Sequence, residues 1–299
     1  MTANFITKAS LIISISFLSI YSCNGNIEKN LFGESESSIT DSIVVTNQLD
    51  SITIQDSINQ TLNEVNSNIP LKNPIDSTKK YIYLTFDDGP YKGSKQINQI
   101  TKDENIKATV FIVGLNAYTK NLKQLIDDYN HNDLIEVSNH TYSHANRNKF
   151  KGYYSNPEQV LADVIKNDTF FDLTSKYVRL PGRNTWRVGD TKKNDYDTGS
   201  KNTSDLLAEN NYYILGWDYE WNKINKNHPL DNPEKIYNGI MYRLNNNLTI
   251  TKNHLVLLMH DDMFDKDINA EKLRALIKML KNDPDIVFET ASNYPINLK

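Results

Sequence analysis

The sequence predicts an α/β fold built on parallel strands, and three observations carry that expectation. From about residue 78, apolar runs of strand length alternate with amphipathic helical stretches. The alternation is strict, so each strand must return to the sheet through a right-handed crossover. Two helix starts are spelled out, in Ser155-Asn156-Pro157-Glu158 and Asp231-Asn232-Pro233-Glu234, each an N-cap followed by Pro at the first helical position. The expected strands are Tyr81–Phe86, Thr109–Val113, Leu134–Val137, Tyr177–Leu180, Tyr212–Trp217, Leu255–Met259 and Ile286–Glu289. The helices between them are expected near 94–105, 119–130, 157–175, 201–210, 233–246 and 269–282. Seven strands suit either a small barrel or an open doubly wound sheet, and periodicity does not choose between the two. No glycine-rich phosphate loop follows the first strand, so a nucleotide site is not indicated.

Composition narrows the function. The chain has 299 residues, 38% of them hydrophobic, enough for one large core or two modest ones. The net charge of −4 argues against nucleic acid as a partner. A single Cys excludes an internal disulfide framework, a Cys-based zinc finger and an iron–sulfur cluster. The acidity is local: residues 30–71 carry Glu34, Glu36, Asp41, Asp50, Asp56 and Glu64 and no base.

The N-terminus reads as an export signal over residues 1–22. Lys8 precedes an apolar run from Leu11 to Ile20 that is too short to span a bilayer. Ile20-Tyr21-Ser22-Cys23 resembles a lipobox, although Tyr21 is bulkier than usual there. Acylation of Cys23 would anchor an exported protein in the cell envelope without a transmembrane helix, facing periplasm or exterior. Residues 23–76 read as a flexible tether, rich in Ser, Thr, Asn and Asp, with Asp-Ser-Ile recurring at 41–43, 50–52 and 56–58. Residues 77–299 are then the folded domain.

The chemistry-bearing residues fall where strands end, which in parallel α/β folds is where sites are built. The first strand runs into Asp87-Asp88-Gly89-Pro90, the third into His140-Thr141-Tyr142-Ser143-His144, and the fourth into Arg179-Leu180-Pro181-Gly182. The fifth ends in Trp217-Asp218-Tyr219-Glu220-Trp221 and the sixth in Leu258-Met259-His260. A catalytic Zn²⁺ takes about three N and O ligands and keeps one open position. His140 and His144 are four apart and fall on one side of the chain if it turns helically there; one carboxylate would complete the set. The two Asp reach one site only if the strand ends with them, an ending that Gly89-Pro90 provides.

These motifs, in this order, resemble the polysaccharide deacetylases of the NodB-homology type, carbohydrate esterase family 4, over roughly residues 80–290. The resemblance implies a distorted parallel (β/α)7 barrel and hydrolysis of acetyl groups on a polysaccharide, using Zn²⁺ or another divalent transition metal. It implies Asp88, His140 and His144 as metal ligands and Asp87 as catalytic base, with Arg179 orienting that base. It also implies His260 as proton donor and the Gly182 N–H as oxyanion donor. Leu258 shares a strand face with His260 and is expected to line an apolar pocket for the acetyl methyl. Trp221 is expected to flank that pocket, Trp217 to pack in the core, and Trp186 is left open. The chain departs from the family's Asp-x-x-Asp-Trp segment: Glu220 precedes Trp221 and Trp217 stands where the first Asp belongs. Either Asp218 or Glu220 is expected to serve Arg179, with Glu220 preferred. Gly182 stands where an aromatic is common, which would widen the site. The expected substrate is an N-acetylated glycan such as peptidoglycan or a chitin-like polymer. O-deacetylation of xylan, glycan binding without catalysis, and hydrolysis of another small amide are the competing readings.

Overall fold

The structure, a computed structural model, describes residues 76–195, 200–222 and 230–296. The expected signal, Cys23 and all but the last residue of the tether lie outside the described residues. Among the described residues no helix is long and apolar enough to cross a membrane.

The sheet is built from β1 (Lys80–Gly89), β2 (Ala108–Ile112), β3 (Ile135–Asn139), β4 (Tyr177–Val178), β5 (Trp186–Val188), β6 (Thr191–Lys193), β7 (Tyr213–Ile214), β8 (Tyr219–Glu220), β9 (His254–His260) and β10 (Ile286–Phe288). Its order is β6-β5-β7-β4-β3-β2-β1-β9-β8, with β10 also paired to β1. The helices are α1 (Gly93–Glu104), α2 (Lys120–Asn130), α3 (Phe150–Tyr154), α4 (Pro157–Phe171), α5 (Ser200–Glu209), α6 (Pro233–Asn245) and α7 (Asp267–Lys281). Asn156 and Asn232 cap α4 and α6 as expected, accepting from the backbone N–H of Gln159 and Glu234.

The two-residue strand period sorts side chains between two layers. Ile82, Leu84 and Phe86 of β1, with Leu255, Leu257 and Met259 of β9, face outward into a core shared with α1, α6 and α7. Tyr83 and Val256 face inward, packing with Phe111, Trp186, Leu215 and Tyr294. With both faces covered, the strands read as near-continuous apolar runs. At the C-terminal end of the inner face the series ends in polar groups: Asp87 of β1 lies in register with His260 of β9.

The seven-stranded barrel is corrected in three respects. The seventh strand, β10, does not sit between β9 and β1. It pairs only with Lys80–Ile82, at the lower end of the edge whose upper end, Thr85–Gly89, pairs with β2. The expected fifth strand is two short pieces: β7 pairs with β4, whereas β8 pairs with β9. Between them the backbone carbonyls of Leu215 and Gly216 accept from Arg179 Nε (3.1 Å) and Nη2 (2.9 Å) rather than from a strand. Gly216 is required at this bend, because a Cβ there would lie 2.3 Å from Nε1 of Trp186. Finally, the polar insertion after the fourth strand adds an antiparallel hairpin, β5–β6. The result is a curled, mostly parallel sheet with helices outside.

Candidate metal and catalytic site

Asp88 reaches the site through a β-bulge. The β1–β2 register shifts between Asp87 and Gly89, so that Asp88 is the extra residue, and its φ is 73°. The sequence reading had the strand simply ending; instead the bulge re-aims one side chain while pairing continues. Asn116 Nδ2 fixes the bulge by donating to the Asp88 carbonyl at 2.6 Å.

The two histidines are presented by a turn of unexpected hand. His144, Ala145, Asn146, Arg147 and Asn148 all have positive φ, between 49° and 67°. This is a left-handed helical turn, closed by Arg147 N–H to the Ser143 carbonyl (2.9 Å) and Lys149 N–H to that of Ala145 (2.9 Å). Asp163 anchors its start, accepting from Ser143 N–H (3.1 Å), Ser143 Oγ (2.8 Å) and Tyr153 OH (2.8 Å).

These elements bring Asp88, His140 and His144 together, with one ligand atom from each within 4.8 Å of the others. Asp88 Oδ1 lies 3.0 Å from His144 Nε2 and 3.4 Å from His140 Nε2. That oxygen is buried and has no hydrogen-bond partner. His140 Nδ1 is 2.8 Å from the Arg179 carbonyl, which assigns the proton to Nδ1 and leaves the Nε2 lone pair facing Asp88. Burial opposes charge on Asp88, but the facing imidazoles outweigh it and hold the carboxyl well below its ordinary value. Burial likewise opposes charge on His144, and Asp88 outweighs it to hold the imidazole above its ordinary value. An O,N,N set around an unsatisfied buried oxygen fits a divalent ion.

Asp87 adjoins this set. Its Oδ1 accepts from Arg179 Nη1 at 2.9 Å, while Oδ2 stays on the site side, 3.7 Å from His140 Nε2. Arg179 is fully buried; burial pulls its guanidinium below the ordinary value and Asp87 opposes that. Its donors go to Thr85 Oγ1 (2.6 Å), Asp87, Leu215 O and Gly216 O.

The expected partner for Arg179 on the fifth-strand segment is corrected. Asp218 accepts from the N–H groups of Ile250 (2.7 Å) and Val256 (2.8 Å), so it pins the segment before β9 and the strand itself to its own loop. Burial pushes its carboxyl up to about 6. Glu220 forms no ion pair with Arg179 among the described residues; it lies in register with Leu258. Burial raises the Glu220 carboxyl, and His260 opposes the rise. Trp221 is also corrected: it points outward, fully buried against Phe264 at 6.1 Å, in the helix-side core. Leu258 is buried on the inner face one step below His260. Trp186 is interior core, with Nε1 donating to Asn184 Oδ1 at 2.9 Å.

Gly182 has φ +64°, and a Cβ there would lie 2.9 Å from the Phe150 ring. The site is therefore not widened by the small residue. Phe150 of α3 fills the place, its ring edge-on to His144 with centroids 6.3 Å apart. Phe150 and Asn116 were not singled out in the sequence, because neither sits in a motif or at a strand end. Thr85 was findable, since it shares the strand face of Asp87.

A curled, mostly parallel α/β sheet carries at its C-terminal end an Asp–His–His cluster able to hold a metal ion, beside a buried Asp–Arg pair. Residues 75–187 match the polysaccharide deacetylase family model. A chitin disaccharide deacetylase from Vibrio alginolyticus is 26% identical over 210 residues, covering 48% of this chain and 48% of the relative. The chain thus spans about half the length of the curated relative it matches. A Streptococcus mutans CE4 esterase superposes with a TM-score of 0.56 at 19% identity, covering 71% of this chain and 86% of the other. The catalytic domain of a peptidoglycan N-acetylglucosamine deacetylase from Eubacterium rectale gives 0.54 at 18%, covering 75% and 94%. At these identities the structural likeness establishes the fold.

Proposed function

We propose that the chain removes acetyl groups from an N-acetylated polysaccharide, with Zn²⁺ or another divalent transition ion held by Asp88, His140 and His144. The observation that carries this reading is the convergence of those three side chains beside an Asp87 oxygen that Arg179 leaves uncommitted. The names of the Vibrio and Eubacterium relatives, both deacetylases of N-acetylated sugars, support the substrate class.

Bound at this position, a divalent ion supplies Lewis acidity and a water of lowered pKa. Asp87 accepts a proton from the attacking water through Oδ2, while Arg179 holds Oδ1 and fixes the carboxylate plane. The Gly182 N–H donates to the developing oxyanion, and Leu258 gives the acetyl methyl an apolar surface. His260, the cross-strand neighbour of Asp87, hands a proton to the leaving nitrogen. The partly buried Glu220 carboxylate lies across the strand pair from Leu258, on the same face as His260, and completes the acidic side of the site. The expected export and a lipid anchor at Cys23 place this chemistry on an envelope or extracellular glycan.

The test is acetate release from chitin oligomers, peptidoglycan and acetylated xylan, with and without a chelator. Release from the N-acetylated glycans that a chelator abolishes and divalent ion restores is expected. Release only from xylan would reassign the bond cleaved, and glycan binding with no release would make the chain a lectin-like protein. Asp87→Asn is expected to keep the metal and lower kcat about 10²–10⁴-fold.

A further inference from the structure

The carboxyl of Asp261 has no part in the chemistry above, yet it is fully buried in the position directly after His260. His260 ends β9 on the inner face, so Asp261 turns outward, to the helix side. Its Oδ2 accepts from Ser94 Oγ at 2.6 Å and from Tyr129 OH at 3.1 Å. Ser94 belongs to the first turn of α1 and Tyr129 to the last turn of α2. Burial pushes the carboxyl up to about 7, and the two hydroxyls offset that rise only in part. Near neutral pH the acid is therefore kept at a cost to folding. A group retained against stability calls for a reason elsewhere.

The reason lies in what Asp261 touches. Two glycines leave room for it: a Cβ at Gly89 would lie 2.9 Å from its Oδ2, and a Cβ at Gly93 would collide with its carbonyl. Gly89 is the far side of the bulge that aims Asp88, so the carboxyl is wedged against the segment that presents a metal ligand. A hydrogen-bond chain runs on from it. Tyr91 N–H donates at 3.2 Å to Ser94 Oγ, the hydroxyl that itself donates to Asp261. Tyr91 lines a cavity of about 330 Å³ together with Asp88 and His144. One side chain thus ties the bulge, the turn before α1, the end of α2 and the end of β9 to a common point.

We propose that Asp261 is a positioning residue: its carboxyl holds the Asp88 bulge at a fixed separation from the end of β9, and so sets both the grip of the Asp88–His140–His144 cluster on a divalent ion and the reach of His260. The part that concerns His260 rests on the deacetylase reading; the grip on the ion rests only on the convergence of the three ligands. Both partners of the carboxyl are neutral donors, so the place requires an acceptor of this size rather than a charge. Asn supplies that acceptor and Leu does not.

The experiment titrates Zn²⁺ into the metal-stripped full chain against a chelating dye, and measures acetate release from chitin oligomers at saturating Zn²⁺. It compares wild type, Asp261→Leu, Asp261→Asn and Leu207→Ala. Leu207 is buried on α5 in the cluster with Val164 and Val178, and controls for lost stability alone. Asp261→Leu is expected to weaken Zn²⁺ binding about 10–100-fold, and to lower kcat about 10–100-fold with KM within about twofold of wild type. Asp261→Asn is expected to restore both, and Leu207→Ala to change neither. Ser94→Ala combined with Tyr129→Phe removes both donors and keeps the carboxyl; it is expected to weaken Zn²⁺ binding, and decides the matter where Asp261→Leu does not fold. Wild-type Zn²⁺ affinity in Asp261→Leu or in that double variant overturns the proposal and leaves the deacetylase standing. So does an Asp261→Asn chain as impaired as Asp261→Leu, or an equal loss in Leu207→Ala. Zn²⁺ affinities in the expected order, with no acetate release from any chain, overturn the deacetylase and leave the placement of Asp88 standing.

Discussion

Arg179 holds two parts of the site with two parts of itself. Its guanidinium fixes Asp87, and its carbonyl receives His140 Nδ1. Both members of the ion pair are almost wholly buried, so removing the cation strands a carboxylate in a dry interior. Arg179→Met is expected to lower stability by about 3–5 kcal/mol in chemical denaturation. A variant within about 0.5 kcal/mol of wild type would show the pair to be ornamental. Gly182 is constrained twice, by its positive φ and by the Phe150 ring. Gly182→Ala therefore displaces the ring beside His144 and costs about 1–2 kcal/mol for the left-handed backbone alone. Gly182→Ala combined with Phe150→Ala removes the collision, and thermal melts of the single and double variants are expected to separate the two contributions.

At the scale of the element, the site depends on two local departures from regular backbone. One is the bulge at Asp88; the other is the left-handed turn over 144–148. Arg147 in that turn is exposed, at φ 56°. Arg147→Gly relieves a conformation that L side chains disfavour, and an increase of about 1 kcal/mol in stability is expected, read as a higher melting temperature. The spacing of the two histidines was legible in the sequence, since His144 follows His140 by four positions. The hand of the turn was not, because the pattern of side chains is nearly the same for either hand and the choice is made by Asp163 and Tyr153, far along the chain. The same limit applies to the fifth strand. Its apolar run announced a strand, but the break at Gly216 is set by the Arg179 donors and the Trp186 ring, which only the fold brings there. The outward position of Trp221 follows from strand parity: neighbours face opposite layers, and Glu220 takes the inner one.

Across the whole molecule, strands, helices and caps were largely readable because period, length and capping agree. The sheet order was not, since nothing local says that β10 wedges against the lower end of β1. One consequence of the interior concerns pH. His254 opens β9, stacks on Tyr81 at 4.7 Å and meets Tyr83 OH at 2.9 Å. Burial pulls its imidazole down to about 4 from 6.5. Between those values the unfolded chain binds a proton that the folded chain refuses. The contribution is therefore complete above pH 6.5 and is lost as the pH falls towards 4, to a total of about 3 kcal/mol. Buried Asp218 and Asp261, pushed up to about 6 and about 7, act in the opposite sense, their contributions falling as the pH rises from 3.8. The stability of His254→Gln subtracted from that of wild type isolates the histidine: the difference is expected to shrink as pH drops from 6.5 to 4, and a flat difference would remove it as the source.

The most direct test of the account is the metal content of the purified, dialysed chain measured beside that of His140→Ala. The account predicts a single divalent ion per wild-type chain and its loss from the variant, with the fold retained. An ion bound equally by both, or a folded wild-type chain that takes up none when divalent ion is supplied, would contradict it.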